Sequence, residues 1–247
     1  MKYAHVYVLF LMFVFFTSCG GQNKTDPPKD NIKSETKDRV TSTRSNDPDF
    51  HTQYEYTDSI GKRLIIQNGY PRGGIRYTDP DGEEYGYAVF WTRIINETDN
   101  PLELTIDFSE NSYEVPSLPN KYLKILVPPD TMTPDKFPLF NYGLTDLESF
   151  LDASIHKPSS LKRTINPKES SGFFVVKLSL VSEGARGGGD VLRTGLILKG
   201  QDLFYRVSTY NSTPARQPLT IIGEKDIHCG HINLKNLTLQ ETIKSGR

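Results

Sequence analysis

The segment Leu102–Phe108 alternates apolar and polar side chains at every position, and this pattern constrains the fold more than any other in the chain. In a β-strand, successive side chains point to opposite faces. One face would therefore carry four apolar side chains: Leu102, Leu104, Ile106 and Phe108. The composition, with 13 Tyr and 13 Phe beside 3 Met, also favours sheets over helix bundles.

Two hairpins are predicted around this segment. Tyr87–Ile95 is almost continuously apolar around Trp91, and a turn-forming run at 96–101 separates it from Leu102–Phe108, so we expect those two strands to pair. A second hairpin is predicted at Asp79–Gly82, where Pro presets φ and Gly supplies a positive φ.

Further strands and one helix complete the pattern. Thr145 and Glu148 have the spacing of a capping box, which predicts a short helix over Asp146–Ala153. The remaining predicted strands are Arg63–Gln67, Tyr122–Val127, Phe173–Val181, Thr194–Lys199, Leu203–Ser208, Leu219–Ile222 and His231–Leu234.

Short strands, frequent turns and no alternation of strand and helix predict an all-β fold, an antiparallel β-sandwich of immunoglobulin-like type with one short helix. A barrel, or a sheet with a helix packed on it, remains open, as does the strand order. The only cysteines are Cys19 and Cys229. If Cys19 is modified, as argued below, Cys229 has no partner for a disulfide, and stability must come from core burial.

The N-terminus has the pattern of a secretory signal. Lys2 precedes an apolar run from Tyr3 to Phe16, which is shorter than the roughly 20 residues that a membrane-spanning helix needs. The run ends in Phe16-Thr17-Ser18-Cys19, which resembles the signal of a bacterial lipoprotein. That resemblance implies a signal peptide over residues 1–18 and acyl chains on Cys19. An ordinary cleaved signal or an uncleaved anchor, with Cys19 incidental, is the alternative.

The resemblance also implies a location. Gly20 and Gly21 follow Cys19 without an Asp, which by analogy with enteric lipoproteins favours the outer membrane. The abundance of Tyr and Asn and the sequence patterns of the strands and turns resemble those of envelope lipoproteins of Bacteroidetes-type bacteria. Surface-export signals of that group are acidic directly after the Cys. Here that stretch is not acidic, so we expect the protein to face the periplasm rather than the cell surface.

Residues 19–50 are predicted to form a disordered polar tether. Between Gly20 and Phe50, twelve residues are charged and three are apolar, which is too few to form a core. As a flexible coil, this segment would span about 30 Å. A strand near Arg39–Thr43 is the alternative. We expect residues 51–247 to form a single β-sandwich domain.

Candidate sites are few. The formal charge of −1 leaves no basic field for nucleic acid. His228, Cys229 and His231 are ligand types for Zn or Cu, but in a strand His228 and Cys229 point to opposite faces, so a buried Cys beside surface His residues is the default.

Catalytic and cofactor motifs carry little signal. The Gly-rich run Glu183–Asp190 lies between strands and not before a helix, so it indicates a hairpin loop rather than a phosphate site. Asp79 and Asp81, at a hairpin tip, should be solvated, and we expect no cofactor.

Aromatic side chains supply the remaining hint of function. Most should be core residues, but Tyr70 lies next to Pro71-Arg72-Gly73-Gly74, which predicts an exposed loop, and it is the candidate ligand-binding residue. We expect a membrane-anchored binding module whose partner is another envelope protein, a peptide or a glycan. A hydrolase with a site of dispersed residues and a structural spacer are the alternatives.

Overall fold

A computed structural model of the chain describes residues 50–110, 112–181, 191–211, 219–234 and 240–245. The signal peptide, Cys19, nearly all of the tether and the Glu183–Asp190 run lie outside the described residues. The described part belongs to one compact unit, Asn46–Arg247.

Strands dominate the described residues. Their bounds are β1 Phe50–Thr57, β2 Arg63–Gly69, β3 Arg72–Thr78, β4 Glu84–Asn96, β5 Leu102–Phe108, β6 Tyr113–Glu114, β7 Tyr122–Leu126, β8 Thr131–Met132, β9 Ser159–Ile165, β10 Ser170–Leu180, β11 Val191–Lys199, β12 Asp202–Tyr210, β13 Ile221–Asn233 and β14 Gln240–Ser245. Two 3₁₀ turns, Pro134–Lys136 and Phe140–Gly143, precede the helix α1, Leu147–Ser154.

The strands form two antiparallel sheets. The larger, nine-stranded sheet has the order β14-β1-β2-β4-β10-β7-β6, with β3 paired to β4 and β8 to β10. The smaller sheet has the order β11-β12-β13-β5-β9. The expected all-β sandwich with one short helix is confirmed, and it has more strands than the seven to nine of immunoglobulin domains.

Strands β4 and β10 separate two hydrophobic clusters. Phe90 and Ile94 of β4 face the cluster between the two sheets, whereas Val89 and Trp91 face a second cluster. Helix α1 covers that second cluster with Leu147 and Leu151, and β10 likewise contributes side chains to both. These two strands are therefore buried on both faces, which accounts for the continuous apolar sequence around Trp91.

The predicted pairing of Tyr87–Ile95 with Leu102–Phe108 is wrong. Strand β4 pairs with β2, β3 and β10, while β5 pairs with β13 and β9 in the other sheet. The connection is a corner built on the buried amide of Asn96, whose Nδ2 donates to three carbonyl oxygens, the shortest at 2.8 Å, and whose Oδ1 accepts from Thr98. The corner lets the apolar faces of β4 and β5 meet across the core.

Other local predictions fared differently. The hairpin at Asp79–Gly82 is confirmed and joins β3 to β4, with Gly82 at φ 89°.

The helix is present, but its capping box is not: the N-cap residue is Asp146, in the left-handed region, and no side chain caps it. The separate strands predicted at Leu219–Ile222 and His231–Leu234 are wrong: one strand, β13, runs unbroken from Ile221 to Asn233, and Leu219, Thr220 and Leu234 lie just outside it. The first strand begins at Phe50, one residue before the predicted domain boundary.

A candidate ligand-binding cleft at the edge of the five-stranded sheet

The edge strand β11 is sealed by two side chains of the larger sheet. Asn68 is buried, its Oδ1 accepts from the Leu196 N–H at 2.8 Å, and its Nδ2 donates to the Leu196 carbonyl at 3.0 Å. Farther along, the Tyr56 hydroxyl accepts from the Leu198 N–H at 2.8 Å. These bonds satisfy backbone groups that an edge strand otherwise leaves open, and they fix the edge of the small sheet against β1 and β2.

A cleft begins where this seal ends. Its floor is the face of the small sheet that points away from the inter-sheet core. Alternate residues of β12 lie on opposite faces of this sheet. Tyr205 and Val207 are buried in the core, while the side chains on the other face line the cleft: Arg206, Ser208 and Tyr210. Cross-strand register places Arg193 of β11 and Glu224 of β13 on either side of Ser208.

The opposite wall comes from the large sheet. It consists of His51, Thr52 and Tyr54 of β1 and Tyr70 of the turn between β2 and β3. The His51 and Tyr70 rings lie 5.4 Å apart, and the Tyr70 carbonyl accepts from the Tyr142 hydroxyl at 2.6 Å, which holds the turn. The cleft, which is open on one side, has a volume of about 410 Å³, within the range of small-molecule sites.

One arginine of the cleft is neutralised by acids. Arg206 donates from Nε and a terminal nitrogen to the two oxygens of Asp226, at 2.8 and 2.9 Å, and lies 3.3 Å from Glu224. The bond from Arg206 is the main cause that lowers the pKa of Asp226 to about 2, with Lys199 adding to it. Glu224 also accepts from the Ser208 hydroxyl at 2.9 Å. Arg206 therefore holds the floor together.

The second arginine is not neutralised. Among the described residues, no carboxylate lies within ion-pair distance of Arg193, whose guanidinium donates to the Leu192 carbonyl at 3.3 Å. The pKa of His51 is lowered, mainly by burial and then by the charge of Arg193, which favours the neutral imidazole. The same two causes lower the pKa of Lys177, on β10, to about 8. Arg193 thus gives this end of the cleft an excess of positive charge.

The residues predicted from sequence fall in three places. Tyr70 is half-buried and lines the cleft. Cys229 is buried, its thiol donates to the Leu203 carbonyl, and burial raises its pKa to about 12. His228 and His231 are exposed on the surface, so the three side chains are not brought together as a metal site.

One prediction about carboxylates is wrong. Asp79 was expected to be solvated at the hairpin tip, yet its side chain is only 1% exposed, whereas Asp81 is 73% exposed. The turn folds back so that Asp79 accepts from backbone N–H groups inside the hairpin, as described below.

Sequence reasoning missed most of the cleft. The alternation of Arg206, Ser208 and Tyr210 indicated one polar face of β12, but nothing local indicated that β1 would lie over it. That placement depends on contacts between residues more than a hundred positions apart, such as the bond from Asn68 to Leu196.

No family model, curated protein or solved structure matches the chain. Among the described residues, no helix is both long enough and apolar enough to cross a membrane.

Proposed function

We propose that this protein is a lipid-anchored envelope lipoprotein whose β-sandwich is a binding module, and that its cleft binds a glycan bearing a carboxylate. The observation that carries the proposal is Arg193, a cation in an aromatic-lined cleft with no acidic partner among the described residues. A guanidinium recognises a carboxylate through parallel hydrogen bonds, which gives both orientation and affinity.

The walls favour a sugar over a peptide side chain. Tyr70 and Tyr210 offer ring faces and phenol hydroxyls, and Thr52 and Ser208 add hydroxyl groups. Ring faces pack against the apolar face of a sugar, and the hydroxyl groups exchange hydrogen bonds with its rim. The neutral His51 supplies one further donor or acceptor without adding charge.

The arrangement gives less support to a hydrolase. Ser208 shares the cleft with His51 and Glu224, but its hydroxyl donates to Glu224 and not to an imidazole. A serine nucleophile needs a base that accepts its proton. Glu224 is in addition engaged by Arg206, whose Nε lies 3.3 Å from it. These contacts favour binding.

The binding proposal is tested by titrating the full-length protein, in detergent, with a hexuronic-acid oligosaccharide and with its methyl ester. We expect the acid to bind and the ester to bind at least about tenfold more weakly, because a charge-assisted hydrogen bond contributes about 1.5–3 kcal/mol. Arg193→Ala should weaken binding of the acid by a similar factor. Arg93→Ala is the matched control, because within the described residues that guanidinium bonds only to Ser170, on a strand outside the cleft. Equal affinity for acid and ester, or binding insensitive to Arg193→Ala, would contradict the proposal.

The anchoring proposal rests on the Phe16–Cys19 motif and is tested separately. Several acyl chains on Cys19 would hold the protein in a bilayer durably, because each buried CH₂ contributes about 0.8 kcal/mol. Cys19→Ala should move the protein from the detergent phase to the aqueous phase in a partitioning experiment. Partitioning that survives Cys19→Ala, or a mature N-terminus elsewhere by mass spectrometry, would refute lipidation at this residue.

A further inference from the structure

The tip of the β3–β4 hairpin brings together three metal-ligand side chains. Asp79 and Asp81 belong to the hairpin turn, and His156 follows α1, 75 residues farther along the chain from Asp81. The His156 Nε2 lies 3.3 Å from an oxygen of Asp81 and 3.8 Å from Oδ2 of Asp79. One ligand atom from each residue lies within 4.8 Å of the other two.

Asp79 presents a buried oxygen without a hydrogen-bond donor. Its Oδ1 accepts from the backbone N–H groups of Asp81, at 3.0 Å, and Glu83, at 2.8 Å. Its Oδ2 is buried, has no hydrogen-bond partner among the described residues, and lies 3.8 Å from His156 Nε2. Leaving a buried acceptor unpaired is costly, and more so when it is charged, so this orientation needs an explanation.

An ion pair with His156 is a weak explanation. The separation of 3.8 Å exceeds hydrogen-bond distance, and the imidazole is more than half exposed to water. Further acidic side chains lie around Tyr77, two residues before Asp79: Asp152 accepts from the Tyr77 hydroxyl at 2.7 Å, and Asp79 and Glu148 add to the rise in the pKa of Tyr77 that burial mainly causes. These carboxylates favour a cation, and the ammonium group of Lys124, which donates to the Ile155 carbonyl at 3.1 Å, offsets part of their negative charge.

We propose that Asp79 Oδ2, the Asp81 carboxylate and His156 Nε2 form a binding site for a divalent transition-metal ion, with Zn²⁺ as the best match. Two carboxylate oxygens and one imidazole nitrogen suit Zn²⁺ better than Ca²⁺, which takes oxygen ligands. In a tetrahedral zinc site with bonds of about 2.1 Å, ligand atoms lie about 3.4 Å apart, close to the observed separations. The exposed side of the site leaves room for water as the fourth ligand.

Such an ion would cross-link distant segments. It would join the hairpin turn to the residue that follows α1, and α1 covers the second hydrophobic cluster. Metal binding to the folded state alone stabilises that state, so the ion would hold the helix over this cluster.

The test is a thermal unfolding experiment on the full-length, untagged protein after treatment with a chelator. At a free Zn²⁺ concentration a hundredfold above its Kd, Tm should rise by about 5–10 °C, and Ca²⁺ at the same concentration should have little effect. Cobalt bound in place of zinc should give visible absorption typical of a low-symmetry site. No rise in Tm with Zn²⁺ would overturn the proposal.

Two variants and a matched control locate the site. Asp79→Asn retains the Oδ1 acceptor for both backbone N–H groups and should fold, but it should abolish the Zn²⁺-dependent rise in Tm. His156→Ala should do the same. His228→Ala is the control, because His228 is similarly exposed and, in the described part of the chain, lies 3.7 Å from a single carboxylate, Asp202. A rise in Tm that survives Asp79→Asn, or that His228→Ala removes, would place the zinc elsewhere and refute the assignment.

Discussion

Replacing Asn68 by Ala should destabilise the protein strongly, because its amide closes the edge of β11. The substitution removes four hydrogen bonds, which join Asn68 to Leu196 N–H, Leu196 C=O, Thr52 and Thr92. Each is worth about 1 kcal/mol net, and a buried backbone group left without a partner costs about 1–3 kcal/mol, so we expect a loss of about 4 kcal/mol. With an m-value of about 2–3 kcal/mol/M, the urea midpoint should fall by about 1.5 M.

The assay is urea unfolding followed by fluorescence. Trp91 is the only Trp of the chain and is 1% exposed, so its emission reports the loss of the core. Asn166→Ala is the control, because Asn166 is exposed and its side-chain amide makes one hydrogen bond to the described residues, to Glu169 at 3.0 Å, which should be worth about 0.5 kcal/mol. If Asn68→Ala cost no more than Asn166→Ala, the idea that side chains of one sheet seal the edge of the other would be refuted.

Asn68→Asp sharpens the test. It keeps the acceptor for Leu196 N–H but replaces the donor to Leu196 C=O with an oxygen, and it buries a carboxyl group. Burial raises the folded-state pKa above the unfolded value of about 4, so the destabilisation should be smallest below pH 4 and grow as pH rises to the folded pKa. A variant with pH-independent loss of stability relative to the parent would contradict this account.

Three further predictions concern the small sheet. The folded-state pKa of Asp226 is about 2, below its unfolded value. Its contribution to the free energy of unfolding, about 2 kcal/mol, is therefore fully present above about pH 4 and is lost as pH falls towards 2. When stability is measured as a function of pH in acid, Asp226→Asn should remove this contribution. Cys229, whose pKa burial raises to about 12, should resist thiol reagents at pH 8 until urea unfolds the chain, and rapid modification of the folded protein would contradict its burial. Gly230→Ala should lower the free energy of unfolding in urea by at least about 2 kcal/mol. Gly230 has φ 134°, and a Cβ there would lie 2.1 Å from the Thr105 carbonyl oxygen. A neutral effect would show that β13 and β5 can separate to make room.

Local patterns predicted strands better than they predicted partners. The alternation in Leu102–Phe108 identified β5 to the residue, and Pro and Gly identified the β3–β4 turn. Pairing β4 with β5 failed because a short connection is also compatible with a crossing from one sheet to the other. What selects the crossing is the amide of Asn96, whose partners include the carbonyl groups of Ile165 and Asn166, about seventy residues away.

The candidate sites depend even more on distant contacts. Asp79 and Asp81 were visible as a hairpin tip, but no sequence signal placed His156 beside them or turned Asp79 inward. Tyr70 was recognised from its turn residues, whereas Arg193 has no distinguishing neighbours in sequence. Its importance comes from the lack of a carboxylate nearby in the described structure, which only the folded arrangement of β11, β12 and β1 reveals.

Strands β4 and β10 form the shared wall of two hydrophobic clusters, so we expect that the molecule cannot be divided there into two parts that fold independently. A fragment that kept only the helix-covered side would expose Phe90 and Ile94, and one that kept only the inter-sheet side would expose Val89 and Trp91. Each half would expose a contiguous apolar face, so we expect both to aggregate. Truncation at any point between Glu84 and Leu180 should therefore yield insoluble protein rather than a smaller folded unit.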